Sequence, residues 1–409
     1  MAELTHDPSE YIRQLQQLLI SDKKRIGFLF GAGTSLARKK DDHPYIPAIG
    51  ELTEIIEAEL TQYEDAINQI KDEIGEANYN IETLLTNLEK KKDVIFGDTE
   101  INGLNLDDIS DLITLIKTEI RKNVSIHEKL MENEIYLENS IHSDFTEWIN
   151  RADRKYGIEI FTLNYDYLFE LGLELKNVPY YDGFTGSFMP FFNSDSVEDF
   201  EFLPRQTKLW KIHGSLGWHH DKRSGKVLRK DSSENDILIY PSTLKYSDSK
   251  KQPYISFLDR LSNFLRRDDS ILITCGYSFG DEHINERIVT ALNSNSSSHV
   301  FSLYYDIINQ DGNKDFILKN NSNLVKMAKK NSKLSIYGIR NAVIGCQYGI
   351  WELKTESEQT DFLNKYFKQW DELDSDENEI KMKEGEFLLP DFSNFVSFLS
   401  SLIIDNNLE

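Results

Sequence analysis

The side chains of this sequence most able to do chemistry are Asn164 and His213, and each follows a short apolar run. Asn164 closes Phe161-Thr162-Leu163 and is followed by Tyr165-Asp166, while His213 closes Leu209-Trp210-Lys211-Ile212 and is followed by Gly214-Ser215. An imidazole titrates near neutrality, so it can take a proton from a hydroxyl or a water. A carboxamide donates and accepts hydrogen bonds at once and can hold a polar group without adding charge. A third feature is Phe28-Leu29-Phe30-Gly31-Ala32-Gly33-Thr34-Ser35, where two glycines allow a tight turn and close approach to a ligand. The free N–H groups of a helix start just beyond suit a phosphate. A fourth run, residues 271–275, leads into Gly276-Tyr277-Ser278-Phe279-Gly280-Asp281. Each feature also has a plainer meaning in local sequence. Residues 31–35 read equally as a strand-to-helix turn, Asn164 as a turn asparagine, Asp166 and Asp281 as helix N-caps, and His213 as a structural histidine.

Buried strands are the elements that must position these residues. In open parallel sheets, ligands sit in the crevice beyond the carboxyl ends of the strands, so four such ends imply one shared site. Apolar runs predict strands at 26–30, 157–163, 208–212, 237–240, 270–275, 299–305, 333–337 and 343–351. Helical spacing of apolar residues predicts helices at 9–21, 51–59, 81–88, 112–120, 316–329 and 387–404. From 51 to 150 strand-like runs are scarce and charges dense, which marks a helical insertion. The polar stretch 222–235 reads as an exposed hairpin or loop, and the acidic stretch 371–379 as a solvated linker.

The order GAGTS, TLNYD, KIHGS, CGYSF resembles that of the sirtuin family of NAD-consuming enzymes, over roughly residues 22–49 and 155–306. Within it, the chain is most similar to the bacterial sirtuin-like NADases of antiphage defence, of the type paired with a HerA-type ATPase. The resemblance implies an α/β fold: a Rossmann-like parallel sheet with a helical insertion and a small C-terminal α+β extension. The NAD-binding core would be residues 1–50 and 151–310, the insertion 51–150 and the extension 311–409. It implies Asn164 and His213 as catalytic residues. Gly31, Ala32, Gly33, Thr34 and Ser35 would hold the pyrophosphate, with Gly214 beside the catalytic histidine. Asp166 would meet the nicotinamide carboxamide, although Tyr165 replaces the small aliphatic residue usual before it. Gly276 and Ser278 would contact the adenosine side, and Asp281 would take a ribose hydroxyl or cap a helix. The reaction implied is cleavage of the nicotinamide–ribose bond through an oxocarbenium-like transition state.

Departures from the deacylase pattern shape the expectation further. Classical sirtuins hold a structural zinc with four cysteines, whereas this chain has two, Cys275 and Cys346. No structural zinc is therefore expected, and NAD hydrolysis is favoured over protein deacylation. A noncatalytic subunit binding NAD or ADP-ribose is the other alternative, against which both Asn164 and His213 speak. The net charge of −23 argues against direct nucleic-acid binding. No apolar run is long enough to span a membrane, residues 1–10 carry no signal-like apolar core, and two cysteines make no disulfide framework. A cytoplasmic homo-oligomer, restrained by assembly or by a HerA-type partner, is the expectation.

Overall fold

The computed structural model describes residues 4–152, 154–221, 223–230, 252–310, 313–354, 361–373 and 379–404. Among these, ten strands form one large sheet. They are β1 (Thr5–His6), β2 (Arg25–Phe30), β3 (Glu159–Thr162), β4 (Tyr180–Tyr181) and β5 (Thr207–Lys211), then β6 (Ser270–Cys275), β7 (His299–Leu303), β8 (Leu334–Tyr337), β9 (Asn341–Ile344) and β10 (Gln347–Trp351). Their order across the sheet is β1-β10-β9-β8-β7-β6-β2-β3-β5-β4. All neighbours are parallel except β8 with β9 and β9 with β10. From β2 the chain builds outward through β3 and β5, then returns to the other side of β2 with β6, β7 and β8. This reversal between β2 and β6 is the switch point at which Rossmann-like sheets open a crevice. The fold is α/β, as the sequence predicts.

Residue alternation explains why the sheet is buried on both faces. In β2, Ile26, Phe28 and Phe30 enter one apolar layer and Leu29 the other. In β6, Ile271, Ile273 and Cys275 face the first layer and Leu272 the second. Helices α1 (Pro8–Ile20), α2 (Ile141–Arg151) and α6 (Phe392–Ile404) supply the first layer, through Leu15, Phe145 and Phe395 among others. Helix α3 (Leu168–Leu175) joins them with Phe169 and Leu173. The second layer comes from α4 (Tyr254–Arg266) and α5 (Glu282–Ser294), with Phe257, Leu261, Ile284 and Ile288. Beneath it, the Arg260 guanidinium donates to both oxygens of Glu159 at 2.7 and 2.9 Å, and Trp210 Nε1 donates to the same carboxylate at 2.8 Å. One carboxylate at the start of β3 thus ties the sheet to α4.

Four longer helices, Ile49–Glu57, Glu64–Ile74, Ile81–Val94 and Leu106–Val124, build a lobe with its own apolar core. Asn80 and Asn105 cap two of them by accepting the first free backbone N–H groups. The lobe core also takes in Leu168 and Leu216, with Tyr165 and Tyr167 packed against it. These four residues lie within or beside the motif loops after β3 and β5.

Several elements depart from the sequence-based prediction. The run 343–351 is not one strand. It turns at Gly345 and Cys346, both at positive φ (56° and 68°), so that β9 and β10 pair as a hairpin. The predicted helix 316–329 is helical only over Asn323–Lys329, because Asn313–Phe316 is a strand paired with Ile307–Gln310. Of the acidic stretch 371–379, residues 371–373 and 379 are strand rather than linker, while 374–378 lie outside the described residues. Phe367–Leu373 pairs antiparallel with Glu379–Phe387, with Asp371 opposite Lys381 in register. The predicted strand 237–240 lies outside the described residues.

Candidate active site

Register places the four motif loops in one row. Cys275 pairs with Phe30, Phe30 with Thr162, and Thr162 with Lys211, so β6, β2, β3 and β5 end level with one another. The loops that leave this row carry Gly276, then Gly31 to Ser35, then Asn164 and Asp166, then His213 and Gly214.

At the switch point the first two loops touch backbone to backbone. Gly31 N–H donates to the Cys275 carbonyl at 3.2 Å, and Gly33 N–H to the Gly276 carbonyl at 3.1 Å. A Cβ at Gly31 would sit 2.4 Å from the Gly276 oxygen, one at Gly33 2.7 Å from the Gly276 Cα, and one at Gly276 2.6 Å from the Thr34 nitrogen. Gly276 also holds φ +64°. The three glycines are therefore required first by one another. Thr34 and Ser35 N–H groups donate to the Gly31 and Ala32 carbonyls at 3.0 Å. Four of the five loop N–H groups thus bond within the protein, so the phosphate cradle expected from sequence is narrower than its five residues suggest. Ala32 lies exposed at the turn. Gly33→Val is expected to force the two loops apart and weaken ADP-ribose binding more than tenfold while the chain remains folded. Calorimetric titration beside a melting curve checks this, and unchanged affinity would refute it.

The loop after β3 locks onto the same turn. Asn164 is 7% exposed, and its Nδ2 donates to the Gly31 carbonyl at 3.0 Å, Thr34 Oγ1 at 3.0 Å and Ser35 Oγ at 2.8 Å. None of these bonds uses Oδ1. Ser35 Oγ in turn donates to Asp166 Oδ2 at 2.7 Å, while Asp166 Oδ1 accepts the Leu168 N–H at 2.9 Å and so opens α3. Tyr167 holds the N-cap position of α3, so Asp166 stands one residue before the cap, where it accepts the first helical N–H and is joined to the glycine turn. Its carbonyl accepts from Lys211 Nζ.

His213 stands on the loop after β5, where Gly214 takes φ +97°, a conformation that favours glycine. His213 Nε2 lies 3.2 Å from Asp281 Oδ2. Asp281 Oδ1 accepts the His283 and Ile284 N–H groups at 3.0 and 3.2 Å and caps α5. One carboxylate thus starts a helix and orients the imidazole. The contact joins loops from β5 and β6, which have β2 and β3 between them in the sheet, a width of roughly 14 Å. Sequence reasoning offered Asp281 a ribose or a helix and missed the histidine. The only signal was an aspartate just past the fourth motif.

A pocket of about 400 Å³ opens beside the glycines, lined by Gly33, Gly276, Ser278, Tyr304, Tyr305 and Phe392 among others. Ser278 is exposed at this site. Cys275 lies beneath, fully buried, and burial pushes its thiol up, which keeps it protonated and inert. Apart from Ala32, which is exposed at the turn, the predicted residues fall into three groups. Gly31, Thr34, Ser35, Asn164 and Asp166 share one hydrogen-bond network, Gly33, Gly276 and Ser278 line one pocket, and His213 with Gly214 lies on the loop held by Asp281.

No curated protein matches the chain. Residues 158–325 match the family model described as a SIR2-like domain. That span begins at β3 and takes in the loops of Asn164, His213 and Gly276, whereas Gly31 to Ser35 reach the same site only through the folded sheet. The match supports a sirtuin-like family assignment, with NAD binding or use as the activity that such a domain implies in general.

Proposed function

We propose that this protein is an NAD glycohydrolase that cleaves NAD to nicotinamide and ADP-ribose, acting as an antiphage defence effector by depleting cellular NAD. The observation that carries the proposal is the convergence of Asn164, the His213–Asp281 pair and the glycine turn at the level ends of four neighbouring strands. The 400 Å³ pocket fits the ADP portion of NAD, since it has the volume of a small-ligand site, tyrosine walls for a base, and glycine backbone where a pyrophosphate would pass. Asn164 would hold the nicotinamide carboxamide or the attacking water by its Oδ1 edge. His213, its ring fixed by Asp281, would accept a proton from a ribose hydroxyl or from water as the glycosidic bond breaks. Departing nicotinamide needs no proton from the protein, so positioning and charge stabilisation dominate.

Such an activity must be restrained in its host. A HerA-type ATPase partner and a homo-oligomeric assembly are the proposed restraint, and a net charge of −23 suits a basic partner surface. The test is nicotinamide release by the purified chain with NAD, with and without a HerA-type ATPase. Release without any acylated peptide is the expected result. Release only with an acetyl-lysine peptide would identify a deacylase, and tight NAD binding with no release under any condition would identify a binding subunit.

A further inference from the structure

The row of level strand ends continues past β6, since Cys275 pairs with Leu303 at the end of β7. Asn164 and His213 stand beyond β3 and β5, so a dinucleotide cleaved there has its second nucleoside toward β6 and β7. The pocket of about 400 Å³ opens at that end, where Gly276 follows β6 and Tyr304 and Tyr305 follow β7. Pro390, Asp391 and Phe392 of the C-terminal extension line it as well, and the Pro390 carbonyl accepts from the buried Cys275 Sγ at 3.7 Å. Asp391 carries the only charge on this lining among the described residues, and no lysine, arginine or histidine accompanies it.

Local structure accounts for one of the two Asp391 oxygens. Oδ1 accepts the Asn394 N–H at 3.0 Å at the start of α6, whereas Oδ2 bonds none of the described residues. Serine, threonine or asparagine would cap a helix as well, so capping does not explain the charge. The charge acts on the pocket: the phenol of Tyr305, a lining residue, is pushed up by burial first and by Asp391 next. A carboxylate accepts strongly from hydroxyls, and the adenosine ribose of NAD offers two. A phosphate at the 2′ position of that ribose would add charge of the same sign, with no cation on the lining to offset it. We propose that Asp391 is a specificity-determining residue, whose carboxylate accepts from the adenosine ribose hydroxyls and excludes dinucleotides phosphorylated at the 2′ position. The proposal rests on the reading of this pocket as the ADP side of an NAD site. It makes the C-terminal extension part of that site rather than an appendage to the sheet.

The experiment is calorimetric titration of the full chain, beside a melting curve, with ADP-ribose and with ADP-ribose phosphorylated on the adenosine 2′-hydroxyl. The wild-type chain is expected to prefer ADP-ribose by about a hundredfold, since like charges a few ångströms apart at a protein surface repel strongly. Asp391→Asn keeps an acceptor for the Asn394 N–H and removes the charge, so its melting curve should stay close to that of the wild type. Its preference should fall to about tenfold or less, with ADP-ribose bound more weakly and the 2′-phosphate more tightly. A structural role alone would weaken both ligands together and leave their ratio unchanged. ADP-ribose binding with no preference in the wild type, or an undiminished preference in Asp391→Asn, would overturn the proposal and leave the NAD site standing. Binding of neither ligand would overturn the NAD reading of the pocket, and this proposal with it.

Discussion

His213→Ala is expected to lower nicotinamide release by about 10²- to 10⁴-fold, the usual contribution of a positioned general base, with no change in melting temperature. The separation of these two effects follows from the structure. His213 is a quarter exposed, at 24% for its side chain, and stands on a loop rather than in either apolar layer. Asp281→Asn makes the complementary variant. An asparagine still caps α5, because its side-chain oxygen can accept the His283 and Ile284 N–H groups, but the charge beside the imidazole is gone. Its rate should therefore fall with the helix intact. Nicotinamide release measured beside a melting curve reads both quantities. Wild-type rates in His213→Ala would show that the base lies elsewhere.

Asn164→Ala should also abolish turnover, and here stability should fall with it. Its Nδ2 shares two hydrogens among three acceptors on the glycine turn, and the Gly31 carbonyl, which keeps its bonds from Thr34, and both hydroxyls lose that donor together. Two hydrogen bonds at net values near 1 kcal/mol each put the loss at about 2 kcal/mol. Reduced stability with lost activity is therefore the expected pair, measured by denaturant titration and nicotinamide release. A stable but inactive variant would assign Asn164 to chemistry alone, and full activity would remove it from the site. The contrast with His213→Ala separates a residue that builds the site from one that only acts in it.

Much of this was legible in the sequence because buried parallel strands leave a simple mark. Runs such as 26–30 and 271–273 carry no charged or hydrogen-bonding side chain, and the change to glycine, asparagine or histidine marks where the strands end. What adjacency alone does not show is which loops meet. Asp281 and His213 are 68 residues apart. Their pairing depends on strand order, to which no local pattern corresponds. The glycines of GAGTS were recognised, but the reason for two of them is the backbone of Gly276, a partner some 240 positions away along the chain. Charge-rich strands were the other blind spot. The stretch 371–379 reads as a linker because its acidic composition hides the strand positions 371–373, which lie in register with residues 379–381. The turn at Gly345 and Cys346 was hidden because the cysteine takes a backbone shape more usual for glycine or asparagine.

The apolar core of the helical lobe does not stop at the lobe. It ends on Leu168, two residues past Asp166, and on Leu216, three past His213. Swinging the lobe away as a hinged cover would expose both leucines, at about 1.5–3 kcal/mol each. The lobe is therefore a clamp on the loops of Asn164 and His213, and in the proposed reaction the precision with which His213 meets a substrate would be set as much by packing among residues 49–130 as by anything inside the crevice.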